Sequence, residues 1–212
     1  LRRIPLAPSG LPERIDSLGG PVLAGPIQVT AKAGGAAIDL KPTAGMPKLE
    51  LRSEARADFS GELSSDTVAL KTSGWIELDG FMWYTLTLEP QAGTANIDDL
   101  EIRIPYSDDS ANLMHWWSGG IPFRDQRAVK IGAVPAGEGV VFSSNDRKKV
   151  LAPPSGIWHF EGSFIPYMLL AGNQRGMAWF AENDQGWTQS MEQPAVRVER
   201  SQGKVDLVLH VI

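Results

Sequence analysis

The densest group of residues that could do chemistry lies between Trp179 and Trp187. An apolar strand runs there into a polar turn that carries Glu182 and Asp184, and Arg175 precedes the strand. A strand end of this kind can present two carboxylates to a ligand between aromatic rings. Alternatively, the tryptophans close the end of a β structure while the acids pair with Arg175 or cap backbone amides. The sequence leaves both interpretations open.

The remaining aromatic residues raise the same question of ligand binding against core packing. Seven tryptophans and three tyrosines favour sugar binding, because aromatic rings stack on the C–H faces of pyranoses. Trp116 and Trp117 are adjacent, so a strand would point them to opposite faces and a helix would place them about 100° apart; in either case one can be buried while the other is free. Trp158 follows a Pro-Pro-Ser-Gly turn and is a further candidate, after the 179–187 group and the Trp116–Trp117 pair. The candidate carbohydrate-binding residues are therefore Trp116, Trp117, Trp158, Arg175, Glu182, Asp184 and Trp187.

Metal and acid–base chemistry have weaker support in the sequence. None of the three histidines has a second histidine or a cysteine at ligand spacing, so no zinc site and no cofactor is expected: His115, His159 and His210. Calcium ligation by Asp108, Asp109 and Asn112 is an alternative without a recognised loop pattern. Glycoside hydrolysis needs two carboxyl groups about 5 to 10 Å apart, which sequence alone cannot supply. We therefore assign no catalytic residue and no metal ligand.

Length, composition and charge limit the classes of protein. The 212 residues carry a net charge of −5 with scattered basic residues, which argues against a nucleic-acid partner. No apolar run is long enough to cross a bilayer, and the N-terminus has no signal-peptide core. The chain begins without Met and ends on an alternating strand pattern over 205–212, so we interpret both ends as cuts in a larger protein.

Glycine and proline recur about every ten residues between short β-rich runs, which is typical of a sandwich. We predict one antiparallel β-sandwich domain over 1–212, with an irregular lead-in at 1–26. The predicted strands are 27–32, 48–52, 67–70, 75–79, 81–89, 97–105, 139–143, 163–171, 175–181, 195–200 and 205–212.

Between these strands we expect turns, loops and one short helix. Tight hairpins are expected at 78–81 and at 173–176, with a bulge in one long strand as the alternative for 78–81. A helix of at most two turns is predicted within 106–117, because Ser107 to Ser110 offer capping oxygens. Long loops are predicted at 119–135 and 144–155.

Residues 163–187 carry a Pro-aromatic run, a polar turn with Arg-Gly, and the pattern Trp-Phe-Ala-Glu-x-Asp-x-Gly-Trp. Together with the Asp-Gly segment at 74–88, this region resembles the N-terminal β-sandwich region of glycoside hydrolase family 123-like proteins. The resemblance implies a bacterial, extracytoplasmic enzyme, secreted or periplasmic, in which a downstream (β/α)8 barrel acts on glycans. It implies hydrolysis of terminal β-linked N-acetylgalactosamine by an adjacent Asp-Glu pair on that barrel, and this chain contains no Asp-Glu dipeptide.

Three functional hypotheses follow. The first is a non-catalytic accessory sandwich that packs against the catalytic barrel of the same polypeptide and contacts glycan. The second is an autonomous lectin-like module that uses Trp116, Trp117 or the Glu182 to Trp187 turn. The third is an enzyme complete within this chain, with Glu182, Asp184, Arg175 and His159 as acid–base candidates.

Overall fold

The structure, a computed structural model, describes residues 2–91, 93, 96–117, 129–146, 164–188, 190 and 192–212. Within these residues all strand pairs are antiparallel. Their single helical element is a 3-10 turn at Asp108–Ser110. The prediction of an all-β sandwich is therefore confirmed. A search of this part of the chain found no helix with the length and hydropathy of a membrane span.

Two sheets form the sandwich. The six-stranded sheet has the spatial order β13 (Gly139–Ser143), β16 (Val196–Ser201), β17 (Lys204–His210), β10 (Asp99–Tyr106), β3 (Gln28–Ala33) and β4 (Ala36–Ile38). The four-stranded sheet has the order β12 (Val129–Ala133), β11 (Leu113–Trp117), β14 (Tyr167–Ala171) and β15 (Gly176–Phe180).

One hydrophobic cluster fills the space between these two sheets. Tyr106 and Leu207 come from the six-stranded sheet, Trp116 and Met168 come from the four-stranded sheet, and all four side chains are buried. Because β10 pairs with both β3 and β17, strands from the two ends of the chain lie on either side of it. The sandwich therefore needs residues from both halves of the sequence.

A five-stranded sheet extends from the sandwich. It contains β5 (Lys41–Pro42), β7 (Arg56–Ser64), β8 (Val68–Glu77) and β9 (Met82–Pro90), with β6 (Lys48–Ser53) also paired to β7. The N-terminal segment crosses β7 at Gly61, where a Cβ atom would lie 2.3 Å from the backbone nitrogen of Gly10. A two-stranded ribbon, β1 (Asp16–Ser17) and β2 (Gly20–Pro21), lies within the predicted lead-in.

All of the predicted strands fall on observed strands, but some boundaries and elements differ. The two predicted strands 67–70 and 75–79 are one continuous strand, β8. Strand β7 was not predicted, because its polar residues hide the alternation that buries Phe59 and half-buries Leu63. In this sheet the pairing with β6 and β8 determines the strand more than its own hydrophobicity.

The prediction of a helix within 106–117 is wrong beyond its first turn. Ser107 and Ser110 hydrogen-bond to each other at 2.7 Å, and the Ser110 hydroxyl donates to the carbonyl oxygen of Val22. The chain then enters β11, which pairs with β12 and β14. Tertiary strand pairing has overridden the local capping signal.

The loop predicted at 119–135 contains β12, so that prediction is wrong over Val129–Ala133. Residues 118–128 and 147–163 lie outside the described residues, and with them most of the loop predicted at 144–155.

Both predicted hairpins are confirmed. Strands β8 and β9 meet at a turn in which Gly80 has a φ of +92° and the Glu77 amide donates to the carbonyl oxygen of Phe81. The bulge alternative is therefore wrong. Strands β14 and β15 meet at a turn in which the Gly172 amide donates to the carbonyl oxygen of Arg175.

Candidate functional site

Four aromatic side chains contact one another at the surface, and we call them the aromatic strip: Trp75, Phe81, Trp83 and Phe180. Ring centroids are 5.2 Å apart for Trp75 and Phe81, 5.5 Å for Phe81 and Phe180, and 6.0 Å for Trp83 and Phe180. Phe81 is 37% exposed and Phe180 is 39% exposed. The strip thus offers aromatic surface to solvent from the β8–β9 hairpin and the end of β15.

The hairpin turn positions the first three rings of the strip. Trp75 and Trp83 are direct cross-strand partners, so their side chains lie on one face of the sheet. The Phe81 amide donates to Oδ1 of Asp79 at 2.8 Å, which holds Phe81 where its ring contacts Trp75. Tyr84 lies on the opposite face, where its ring packs on Phe59 at 5.0 Å.

Charged groups border the Trp75 end of the strip. The guanidinium carbon of Arg56 lies 4.6 Å from the centroid of the Trp75 ring, within range of a cation–π interaction. Asp58 accepts hydrogen bonds from Nε of Arg52 at 2.7 Å and from Nε of Arg56 at 2.9 Å. Those two hydrogen bonds lower the pKa of Asp58, so its carboxylate is ionised and held in a fixed orientation.

The solvent side of the four-stranded sheet is apolar where an exposed sheet face is usually polar. We define the outer apolar face as Leu113, Ile131, Leu169 and Ala178, which lie around the half-buried His115. Leu113 is 45% and Ile131 is 74% exposed. The strand register places these side chains on one face, because His115 pairs with both Ile131 and Leu169, and Leu169 pairs with Ala178. Phe180 lies on the same side of this sheet, at the end of β15, and belongs to the aromatic strip.

The two adjacent tryptophans of β11 point to opposite faces, as the strand alternative requires and the helix predicted within 106–117 does not. Trp116 is 1% exposed and packs on Phe142, with the ring centroids 5.9 Å apart. It presents no ring face to a ligand in solution. Trp117 is half-buried and lies on the same side of the sheet as His115, whose ring contacts Tyr167 at 5.4 Å.

The group of candidate residues predicted between 179 and 187 forms a packed turn. The Trp187 ring contacts Trp179 at 5.2 Å and Phe164 at 5.6 Å. Its amide donates to the carbonyl oxygen of Asp184, and the Asn183 side chain accepts a hydrogen bond from the Gln185 amide.

The acidic and basic candidates lie around this turn. Glu182 is exposed two residues after Phe180, so it is near the aromatic strip in sequence. Asp184 is half-buried within the turn. The Arg175 guanidinium lies against Gly20 of β2, where an added Cβ atom would come within 1.5 Å of Nη1. The structure therefore associates Arg175 with the N-terminal ribbon.

Two other predicted groups remain. Trp158 and His159 lie outside the described residues. Asp108 and Asp109 lie in the 3-10 turn, and Asn112 follows it with its side chain exposed. Across the described ranges, no three His, Cys, Asp or Glu side chains form a group that could hold a metal ion.

Sequence reasoning did not single out the aromatic strip as a site. Trp75 and Trp83 are equally distant from Asp79, so the turn over residues 78–80 pairs them, whereas a two-residue turn at Asp79-Gly80 would pair Trp75 with Tyr84. Their pairing therefore follows from the spacing only once the length of the turn is known. Phe180 could not have been added in that way, because its contact with the hairpin joins residues about a hundred positions apart in different sheets.

The fold and this surface define an antiparallel β domain with exposed aromatic and apolar side chains on two neighbouring sheets. The chain matches the family model described as glycoside hydrolase 123, third domain, over residues 1–118. The chain belongs to this family, and it is a domain associated with glycoside hydrolases. No curated protein and no solved structure matches it.

The family match and the sequence resemblance cover different parts of the chain. The match includes the Asp-Gly segment at 74–88, and therefore Trp75, Phe81 and Trp83. It does not reach the motif at 163–187, nor Phe180. The expected membership of the family is confirmed, whereas the expected N-terminal position in a longer protein stays a prediction.

Proposed function

We propose that this chain is a non-catalytic accessory β domain of a glycoside hydrolase, and that it packs against the catalytic barrel of the same polypeptide. The observation that carries the proposal is the outer apolar face of the four-stranded sheet. Contiguous exposed apolar surface on a folded domain typically marks an interaction site. A domain that its family numbers as the third has neighbouring domains in those proteins, and these are the natural partners.

The two described carboxyl groups whose pKa departs from the ordinary value support a non-catalytic role. The general acid of a glycoside hydrolase needs a raised pKa. Burial raises the pKa of Glu199, but hydrogen bonds from Arg103 and Arg197 outweigh it and the net shift is downward. Asp58 is also shifted downward. These two ionised carboxylates, each held by two arginines, suit structural ion pairing better than proton donation.

Glycan contact and location complete the proposal. The parent enzyme would act on glycan outside the cytoplasm, either secreted or periplasmic. Cell fractionation with an antibody against this chain tests that location, and recovery in the cytosolic fraction alone would contradict it.

The docking proposal is tested in the longer polypeptide that contains the catalytic barrel. We expect Leu113→Ser with Ile131→Ser to uncouple the two domains, so that calorimetry shows this chain unfolding separately and at lower temperature. Leu78→Ser is the matched control, because Leu78 is 79% exposed but lies on the β8–β9 turn. An unchanged calorimetric profile in the double variant would refute docking through this face.

The non-catalytic role is tested with this chain alone. We expect no release of nitrophenolate from 4-nitrophenyl N-acetyl-β-galactosaminide, the class of substrate that the family resemblance implies. Turnover that persists after repeated chromatography would instead support the hypothesis of an enzyme complete within the chain.

A further inference from the structure

We propose that the aromatic strip binds a neutral glycan by stacking on the apolar faces of its pyranose rings. This inference rests on the proposed function in one respect, since the parent enzyme supplies the reason for glycan to be near. It goes beyond that function by assigning a binding site and a chemical class of ligand.

The rings of the strip form a continuous surface. Each ring contacts the next at 5.2 to 6.0 Å between centroids, in the order Trp75, Phe81, Phe180 and Trp83. The two phenylalanines are more than a third exposed, and both tryptophans are half-buried. Rings that are anchored by neighbours and open on one side are pre-organised for stacking, because little side-chain entropy is lost on binding.

Polar groups lie beside the rings on the same face of the five-stranded sheet. Asp58 is the cross-strand partner of Trp75, and its carboxylate is held in place by Arg52 and Arg56. A fixed carboxylate and guanidinium next to an aromatic ring can accept from and donate to sugar hydroxyls. The next row of this face carries the hydroxyl groups of Ser60, Ser73 and Thr85, and Lys48 is the cross-strand partner of Ser60.

The charges around the strip favour a neutral sugar over an acidic one. The residues at its border include four acidic ones, Glu50, Asp58, Glu77 and Asp79, and four basic ones, Arg2, Lys48, Arg52 and Arg56. Arg52 and Arg56 are already paired with Asp58. Glu182, exposed beyond Phe180, adds to the negative charge. A uronic acid would therefore meet net repulsion.

The test is a fluorescence and calorimetric titration of this chain with neutral and acidic oligosaccharides of equal length. The neutral probes are β-linked tetrasaccharides of galactose, glucose and N-acetylgalactosamine, and the acidic probe is tetragalacturonate. We expect at least one neutral probe to quench tryptophan fluorescence saturably and to bind about tenfold more tightly than tetragalacturonate. Failure of all three neutral probes to bind, or equal binding of the acidic probe, would overturn the proposal.

Variants then locate the site. Phe81→Ala with Phe180→Ala removes the exposed part of the strip without emptying the core, and we expect binding to weaken about tenfold or more. Leu78→Ala, on the same hairpin turn but outside the strip, is the control and should bind like wild type. Full affinity in the double phenylalanine variant would show that the glycan binds outside the strip and would refute the assignment.

The two proposals fail separately. Leu113→Ser with Ile131→Ser alters the outer apolar face and leaves Trp75, Phe81 and Trp83 in place. If that variant loses interdomain coupling but keeps glycan affinity, both proposals stand. If the strip variants change interdomain coupling and no glycan binds, the strip is part of the domain interface and the glycan proposal is wrong.

Discussion

The ring of Phe180, at the end of β15, lies 5.5 Å from the ring of Phe81, next to the β8–β9 turn, and so joins the four-stranded and five-stranded sheets. We expect a double-mutant cycle of Phe81→Ala and Phe180→Ala to give a coupling energy of about 0.5 to 1 kcal/mol in urea unfolding. Phe81→Ala with Ile131→Ala is the control and should be additive, because β12 and β15 are separated by two strands. Additivity in the phenylalanine pair would contradict the contact.

Trp116 is a core residue, and its replacement should reduce stability. We expect Trp116→Ala to lower the free energy of unfolding by about 3 to 5 kcal/mol, because it leaves a cavity beside Phe142. Leu113→Ala, on the exposed face of the same strand, should cost less than about 1 kcal/mol. Chemical denaturation of both variants measures the difference, and equal small losses would argue against the described packing of β11.

Gly74 is required by a close approach between strands. A Cβ atom at this position would lie 2.0 Å from the carbonyl oxygen of Trp83 and 2.7 Å from the ring of Phe59. We expect Gly74→Ala to cost about 2 to 3 kcal/mol, because backbone and ring must both shift. Gly132→Ala is the matched control, since a Cβ there has open space around it and should be neutral within about 0.5 kcal/mol. Equal stability of the two variants would refute the geometry.

Glu199 connects two arginines on the six-stranded sheet, accepting from Arg103 at 2.8 Å and from Arg197 at 2.9 Å. Its side chain is 22% exposed, whereas Glu50, which pairs with Arg52, is 64% exposed. We expect Glu199→Gln to cost about 1 to 2 kcal/mol and Glu50→Gln less than about 0.5 kcal/mol in urea unfolding at neutral pH. A larger loss of stability for Glu50→Gln than for Glu199→Gln would contradict a stabilising role for the Glu199 network.

His210 should make stability depend on pH. Burial lowers its pKa below the ordinary value of 6.5, and the nearby carboxylates Asp99 and Glu101 oppose this shift only in part. Arg197 and Lys32 act in the same direction as burial. Because the unfolded chain binds the proton more readily, this contribution to stability is full above pH 6.5 and is lost as the pH falls toward the lower pKa of the folded protein.

The measurement is the free energy of unfolding of wild type and His210→Gln between pH 5 and 8. We expect wild type to lose stability faster than the variant as the pH falls below 6.5. A parallel pH dependence in the two proteins would show that His210 does not titrate with a lowered pKa.

The strands were predictable because their signals are local. In β9, apolar and polar residues alternate with the period of a strand, and glycine at position 80 permits the positive φ of a tight turn. The helix predicted within 106–117 failed for the opposite reason. Its capping serines form one turn, but β11 gains more from pairing with two neighbours than from continuing a helix.

Local sequence signals predicted only part of the candidate site. The alternation of Trp116 and Trp117 follows from β geometry, but sequence could not say which of the two would be buried. That depends on Phe142, which lies in another sheet. Trp187 likewise packs on Phe164 and Trp179, and these contacts decide that much of its ring faces protein.

The sequence by itself determined the all-β class, most of the strands, both hairpins and the resemblance to a glycoside hydrolase family, because each depends on short-range spacing and composition. Only the tertiary structure decided which aromatic residues form a surface, since Phe180 reaches Phe81 and Trp83 through the packing of two sheets. Exposure is a property of the whole fold: a side chain is covered or left open by residues distant in sequence, and no local pattern encodes that difference.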